Sequence, residues 1–253
     1  MAMAVGAIHT VEQFHLLFLL QLSRRVDKRA IVLKGGCNLR FFLRSIRYSE
    51  DLDLDVGKID TQLLRDSVHE ILESRPFRQI LEARRIQIEH VTEHKQTGTT
   101  QRWKLGLRVA GAPVPLPTKV EFSRRGLDEG VVFGSVDPGV ARVHELPPLM
   151  LCHYDAAAAF RQKVGALAGR PLPQARDVFD LHHLLATGAG AVHAVEEGVL
   201  ARAGANALSV DFGMFKSQVL AYLQPEDQPR FDSPSVWDAM VLEVVDALDR
   251  GPS

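Results

Sequence analysis

The densest chemistry in the 253-residue chain lies in Ser49-Glu50-Asp51-Leu52-Asp53-Leu54-Asp55. Strict alternation predicts a strand, and on a strand residues two apart share a face. Asp51, Asp53 and Asp55 then line one face, while Leu52, Leu54 and Val56 line a core. Same-face neighbours lie roughly 7 Å apart. Two carboxylates at that spacing can converge on one or two divalent cations. Hard oxygen donors of this kind suit Mg²⁺, with Mn²⁺ as an alternative, and Mg²⁺ completes its shell with water and substrate phosphates. Asp55 is two residues further from such a centre. With no cation, the row of carboxylates repels itself. The competing reading is a solvated edge strand with acidic decoration.

Lys34-Gly35-Gly36 ends an apolar run and opens a helical stretch. Glycines there allow backbone N–H groups to approach a phosphate, whose charge the helix N-terminus favours. A Gly-Gly pair alone is also an ordinary tight turn. Here it precedes the acidic strand by about fifteen residues, giving a strand–turn–helix–strand unit suited to a nucleoside triphosphate with Mg²⁺. Lys119-Val120-Glu121-Phe122 reads as a later strand with Lys119 and Glu121 on one face, where Glu121 can supply a third carboxylate or stand as an exposed acid. Further on, Lys163 precedes Arg176-Asp177-Val178-Phe179-Asp180-Leu181. Asp177 and Asp180 share a helix face, and Arg176 can pair with Asp180 at i,i+4. The alternative is a surface salt-bridge ladder of little energetic weight.

Several elements must position these groups. A first helix spans the apolar run Phe14 to Leu22 and extends to about Lys28. A short strand at Ala30 to Leu33, a helix from Cys37 to Ser45, the acidic strand and a helix from Thr61 to Ser74 follow. From Phe77 to Val143 the apolar period is mostly two, with loops at Thr97 to Thr100 and Gly111 to Pro117. Trp103 and Phe122 read as core, and Gly134-Ser135-Val136-Asp137 as a hairpin turn. Beyond Pro147-Pro148 the pattern is helical, with candidates at Leu149 to Leu167, Gln174 to Ala186, Ala191 to Ala203, Val210 to Leu223 and Pro234 to Leu248. The expected organisation is an α/β half with a mixed sheet over residues 1–147, then an all-helical half over 148–253 that completes the active site.

Composition sets the bounds. Hydrophobic residues make up 46% and charged residues 24%, the balance of a folded globular protein. Two cysteines cannot frame a disulfide scaffold, which points to a reducing cytoplasm. No basic region precedes the apolar run at Phe14, and the run is shorter than a membrane helix requires, so neither a signal peptide nor a membrane span is expected. The net charge of −1 hides an asymmetry. Residues 1–125 hold 21 Lys+Arg against 14 Asp+Glu, and residues 126–253 hold 9 against 17. An Arg-rich basic half suits a polyanionic partner; equally, the halves can neutralise each other. Cys152-His153 and His182-His183 lack a zinc-finger spacing.

The run LKGGCNLRFFLRSIRYSEDLDLDV resembles the signature of the AbiEii/AbiGii toxin family of nucleotidyltransferases, whose members typically read K-G-G-T-x-L and then R-x-S-E-D-[IL]-D-[LF]. Lys119-Val120-Glu121, Lys163 with Ala166 and Arg170, and Arg176-Asp177-x-x-Asp180-Leu181 follow in the family's order, so the likeness covers roughly residues 30 to 185. It implies a DNA polymerase β-like nucleotidyltransferase domain followed by a helical domain. By it, Asp51 and Asp53 bind the metals and Glu121 takes the third acidic position, where Asp is common. Lys34, Gly35, Gly36, Arg47 and Ser49 fall on the nucleotide-binding side. Lys163 contacts the triphosphate and Asp177 is a catalytic or orienting acid. Cys37 stands where the family has Thr or Ser, and a thiol is a weaker donor to phosphate.

The activity so implied is transfer of a nucleoside monophosphate from an NTP to RNA, particularly the 3′ end of tRNA, with growth arrest and a cognate antitoxin. Two other readings keep the fold: a transferase acting on a small molecule such as an antibiotic, and a non-catalytic module that binds RNA or a protein.

Overall fold

Alternation and apolar runs lay down one sheet. In the computed structural model, which describes residues 5–188 and 195–250, seven strands are ordered β3-β4-β5-β2-β1-β7-β6. They are β1 (Ile31–Lys34), β2 (Asp51–Val56), β3 (Ile86–Thr97), β4 (Thr100–Val109), β5 (Leu116–Ser123), β6 (Val131–Ser135) and β7 (Met150–Tyr154). The sheet is mixed: β1/β7 and β2/β5 are parallel, the other pairs antiparallel. The acidic strand β2 lies between β5 and β1 in the interior of the sheet, which removes the edge-strand reading.

The described residues divide into two compact units, one comprising 5–44 and 48–154, the other 45–47, 155–188 and 195–250. In the first, Leu33, Leu52, Leu54, Trp103, Val120 and Phe122 are buried together on one side of the sheet. There they meet α1 (Val5–Leu22) and α3 (Thr61–Glu73), with α4 (Arg75–Ala83) against β3. Phe14 of α1 meets Phe77 of α4 with tilted rings, centroids 6.3 Å apart. Trp103 meets Phe122 edge to face at 5.8 Å, so both are core as expected. Asp60 caps α3 by accepting from the N–H groups of Gln62 and Leu63, which fixes where that helix begins. α2 (Gly35–Phe42) and α5 (Pro138–Val143) complete this unit.

In the second unit, α6 (Ala156–Gly169), α7 (Ala175–Ala186), α8 (Glu197–Leu208), α9 (Phe212–Gln218), α10 (Gln228–Phe231) and α11 (Pro234–Asp249) pack on Phe179, Phe215, Phe231 and Trp237. Phe215 stacks on Trp237 at 4.6 Å, and the indole N–H donates to the Val210 carbonyl at 3.1 Å.

Several sequence expectations shift. The first helix ends at Leu22, and a 3₁₀ turn at Lys28–Ala30 leads into β1. Arg75–Ala83 is a helix where period two was expected; Ser74 caps it, and Pro76 stands in its first turn. Gly134 and Ser135 belong to β6, while Asp137 caps the helix α5 that contains Val143. The stretch from Leu149 is not helix throughout: Met150–Tyr154 is a strand paired with β1, and the helix starts only after Asp155, which accepts from the Ala158 N–H. A short apolar run in a sheet interior has no period to distinguish it from buried helix. The expected helix at Ala191 to Ala203 is α8, which begins six and ends five residues later, and residues 191–194 lie outside the described residues. Val210 to Leu223 divides into α9 and a 3₁₀ turn. No helix of the described residues is long and apolar enough to cross a membrane.

Candidate active site

The parallel pairing of β2 with β5 sets Asp51 beside Lys119 and Asp53 beside Glu121. All four project from the face opposite Leu52, Leu54, Val120 and Phe122. The Lys119 ammonium sits among the three carboxylates, 3.2 Å from Asp51 Oδ2, 3.5 Å from Asp53 Oδ1 and 3.4 Å from Glu121 Oε2. Arg102 of β4 donates from Nε to Glu121 Oε2 at 2.6 Å. Burial works against the charge of Lys119, yet Asp53, Asp51 and Glu121 outweigh it and raise its pKa. Burial likewise opposes the Glu121 carboxylate, but Arg102 and Lys119 hold it below its ordinary value.

Gly35 closes one side of this site. Its φ is +65°, and a Cβ there would lie 3.2 Å from Asp53 Oδ2. Glycine is therefore required both by the left-handed backbone and by the carboxylate packed against the turn. The turn opens α2, whose first residues carry no side-chain cap, so its N-terminal amides are available to an anion as far as capping is concerned. Lys34, expected at the phosphate, is paired here with Asp55, Nζ to Oδ1 at 2.5 Å. The Tyr154 hydroxyl donates to Asp55 Oδ2 at 2.9 Å. Asp55 thus has a cation and a hydroxyl of its own, and is buried apart from the other two acids of the strand.

Ser49 and Cys37 meet at one acceptor. The Ser49 hydroxyl donates to the Asp51 carbonyl at 2.9 Å, and the Cys37 thiol to the same oxygen at 3.2 Å. Cys37 is fully buried, and burial, reinforced by the Asp53 and Glu12 charges, pushes its thiol well above the ordinary range. Its part is to tie α2 to the start of β2. His15 of α1 lies 3.6 Å from the same sulfur and hydrogen-bonds Thr118 at 2.7 Å. Burial holds its pKa at about 3, so it is neutral.

The second unit contains another charged constellation. Asp177 and Asp180 are fully buried, which rules out a surface ladder. Arg176 is not the partner that holds Asp180. Arg47, expected on the nucleotide side, places its fork on Asp180, Nε to Oδ1 at 2.9 Å and Nη2 to Oδ2 at 2.8 Å. Lys163 Nζ lies 2.6 Å from Asp180 Oδ2 and 2.9 Å from Asp177 Oδ1. Arg170 Nε reaches Asp177 Oδ2 at 2.7 Å. Burial would raise both acids; Arg47 and Lys163 hold Asp180 down at about 2, while Lys163 and Arg170 lower Asp177. The i,i+3 spacing of the acids was legible in the sequence, but their cation from 133 residues earlier was not.

The donor set can be tested against a divalent cation. Among the described residues, no group of three or more His, Cys, Asp and Glu side chains is gathered to hold one. Asp51 and Asp53 with phosphate and water do fit Mg²⁺, which typically takes only one or two carboxylates from the protein. The ammonium drawn between them shows that the site already collects positive charge. As for zinc, His153 stacks on Phe42 at 3.8 Å, and His182 pairs with Glu243 at 3.1 Å.

Comparisons with known proteins bear on the fold and the family. Two solved structures from Helicobacter pylori share the fold. JHP933 is 17% identical, with 98% of this chain and 92% of that chain covered at a TM-score of 0.56. A candidate nucleotidyltransferase is also 17% identical, with 98% and 95% covered at a TM-score of 0.57. None of the curated proteins matches the chain. The family described as "Nucleotidyl transferase AbiEii toxin, Type IV TA system" matches residues 17–249. With nearly its whole length so matched, and with the acidic strand set against a glycine turn, this chain belongs to the AbiEii family of nucleotidyltransferase toxins.

Proposed function

We propose that the protein transfers a nucleoside monophosphate from an NTP to an RNA acceptor, the 3′ end of tRNA, and so arrests translation and growth in the cytoplasm until an antitoxin counters it. The observation that supports this most directly is the convergence of Asp51, Asp53 and Glu121 on one cation beside the Gly35 turn. Asp51 and Asp53 would hold Mg²⁺, with Glu121 in the third acidic position. When bound, the metal supplies Lewis-acid stabilisation of charge at the phosphates. Gly35, Gly36 and the start of α2 would present backbone N–H groups to phosphate oxygens. Ser49 and Cys37 hold the Asp51 backbone, and with it the direction of the Asp51 carboxylate.

The proposal extends to charged residues of the helical half. Lys163 meets the triphosphate: an ammonium has three donors, and Asp177 and Asp180 orient it through two of them. Asp177 is an orienting acid, and Arg47 acts by holding Asp180. The basic character of residues 1–125 suits a polyanionic acceptor. The test is to incubate the purified protein with each radiolabelled NTP, Mg²⁺ and total tRNA. Label in the tRNA band with wild type and none with Asp53→Ala is the expected result. Unlabelled RNA with all four nucleotides would remove the RNA reading.

A further inference from the structure

A lysine in the middle of three acids needs a reason. Lys119 lies within 3.5 Å of a carboxylate oxygen on each of Asp51, Asp53 and Glu121. The β2–β5 register favours this contact: it sets Lys119 beside Asp51 and Glu121 beside Asp53, while Lys104 of β4 stands on the other side of Lys119. Arg102 already holds Glu121 from the neighbouring strand. The five side chains therefore carry three negative and two positive charges. A divalent cation among the same oxygens meets a resident positive charge that must withdraw. Lysine suits such an exchange better than arginine, since its charge is compact and its stem flexible. Its side chain is 24% exposed, so the stem has a route toward solvent.

We propose that Lys119 is the resident counter-ion of this site: it holds the three carboxylates together in the metal-free protein and competes with a divalent cation for their oxygens. It is a positioning residue, and the inference rests on the metal-dependent reading above.

Lys119→Met and Lys119→Arg variants test it by Mn²⁺ binding, followed through the paramagnetic resonance of free Mn²⁺, and by thermal melting in chelator and in Mn²⁺. Lys119→Met should melt below wild type in chelator and gain more on adding Mn²⁺. It should also bind Mn²⁺ about tenfold tighter, because a nearby like charge has gone. Lys119→Arg, which keeps the charge, should stay near wild type. Lys119→Gln serves the same comparison if the Met variant does not fold. Mn²⁺ affinity in the neutral variants equal to or weaker than wild type overturns the proposal. If wild type binds Mn²⁺ and Asp53→Asn does not, the metal-dependent reading survives that failure. If neither wild type nor the neutral variants bind Mn²⁺, both fall together.

Discussion

Replacing Asp53 by Ala takes one oxygen pair away from Lys119 and leaves it Asp51 and Glu121. A row of three bare carboxylates would gain stability from such a change, but here the repulsion is already countered. The expected stability change is therefore within about 1 kcal/mol, as for other partly exposed pairs, while nucleotide transfer falls by at least about 100-fold. Thermal melting and tRNA labelling of the same preparation check both halves. Cys37 illustrates a different residue-scale effect. Its thiol is buried and its pKa raised, with burial the largest cause. A disulfide reagent such as dithionitrobenzoate should leave it unmodified in the native protein up to about pH 9 and react on unfolding, because the thiolate is the reacting form. Rapid modification of the folded protein at Cys37 would contradict the burial.

At the scale of elements, the turn between β1 and α2 controls where the acidic strand can place its carboxylates. Gly35→Ala imposes a Cβ on a left-handed backbone and presses it against Asp53. A destabilisation of about 1–2 kcal/mol is expected from the backbone alone, with transfer reduced more than stability because the carboxylate must shift. Gly98, where an added Cβ meets nothing within 4 Å, provides the control: melting and transfer measured side by side should show Gly35 the more sensitive in activity. The alternation of Asp51 to Val56 and the glycine pair made this half of the site readable from the chain, since period and turn chemistry are local properties. What could not be read was non-local. Lys119 shares a face with Glu121 in the sequence pattern, but only the β2–β5 register brings it to Asp51 and Asp53. Met150–Tyr154 was hidden as a strand because a central strand buried on both faces has no alternation; Asp155, a capping residue at its end, was the available signal. Lys34 and Arg47 are expected at phosphate by their place in a motif; the partners they have in this structure, Asp55 and Asp180, lie 21 and 133 residues away and leave no local signal.

For the molecule as a whole, stability should depend on the buried charges of the helical unit. Asp180→Asn leaves Arg47 and Lys163 without their shared carboxylate, and breaking such a buried pair typically costs about 3–5 kcal/mol. The pH dependence has a definite sign. The carboxyl is lowered from 3.8 to about 2, so its contribution is fully present above about pH 4 and is lost as pH falls through about 2, amounting to about 2 kcal/mol. Urea unfolding from pH 2 to 6 should show the wild type and Asp180→Asn curves approaching each other toward the acid end. Residues 45–47 cluster with the described residues from 155 onward, not with the sequence on either side of them. A fragment of 155–253 alone lacks the Arg47 fork that fills Asp180, and should show a weaker or absent unfolding transition by circular dichroism than the same residues in the full chain. The same arrangement constrains inheritance: a recombination event that exchanged the helical half for that of a distant relative would separate Arg47 from Asp180 in one step, so the two ends of this gene are expected to descend together.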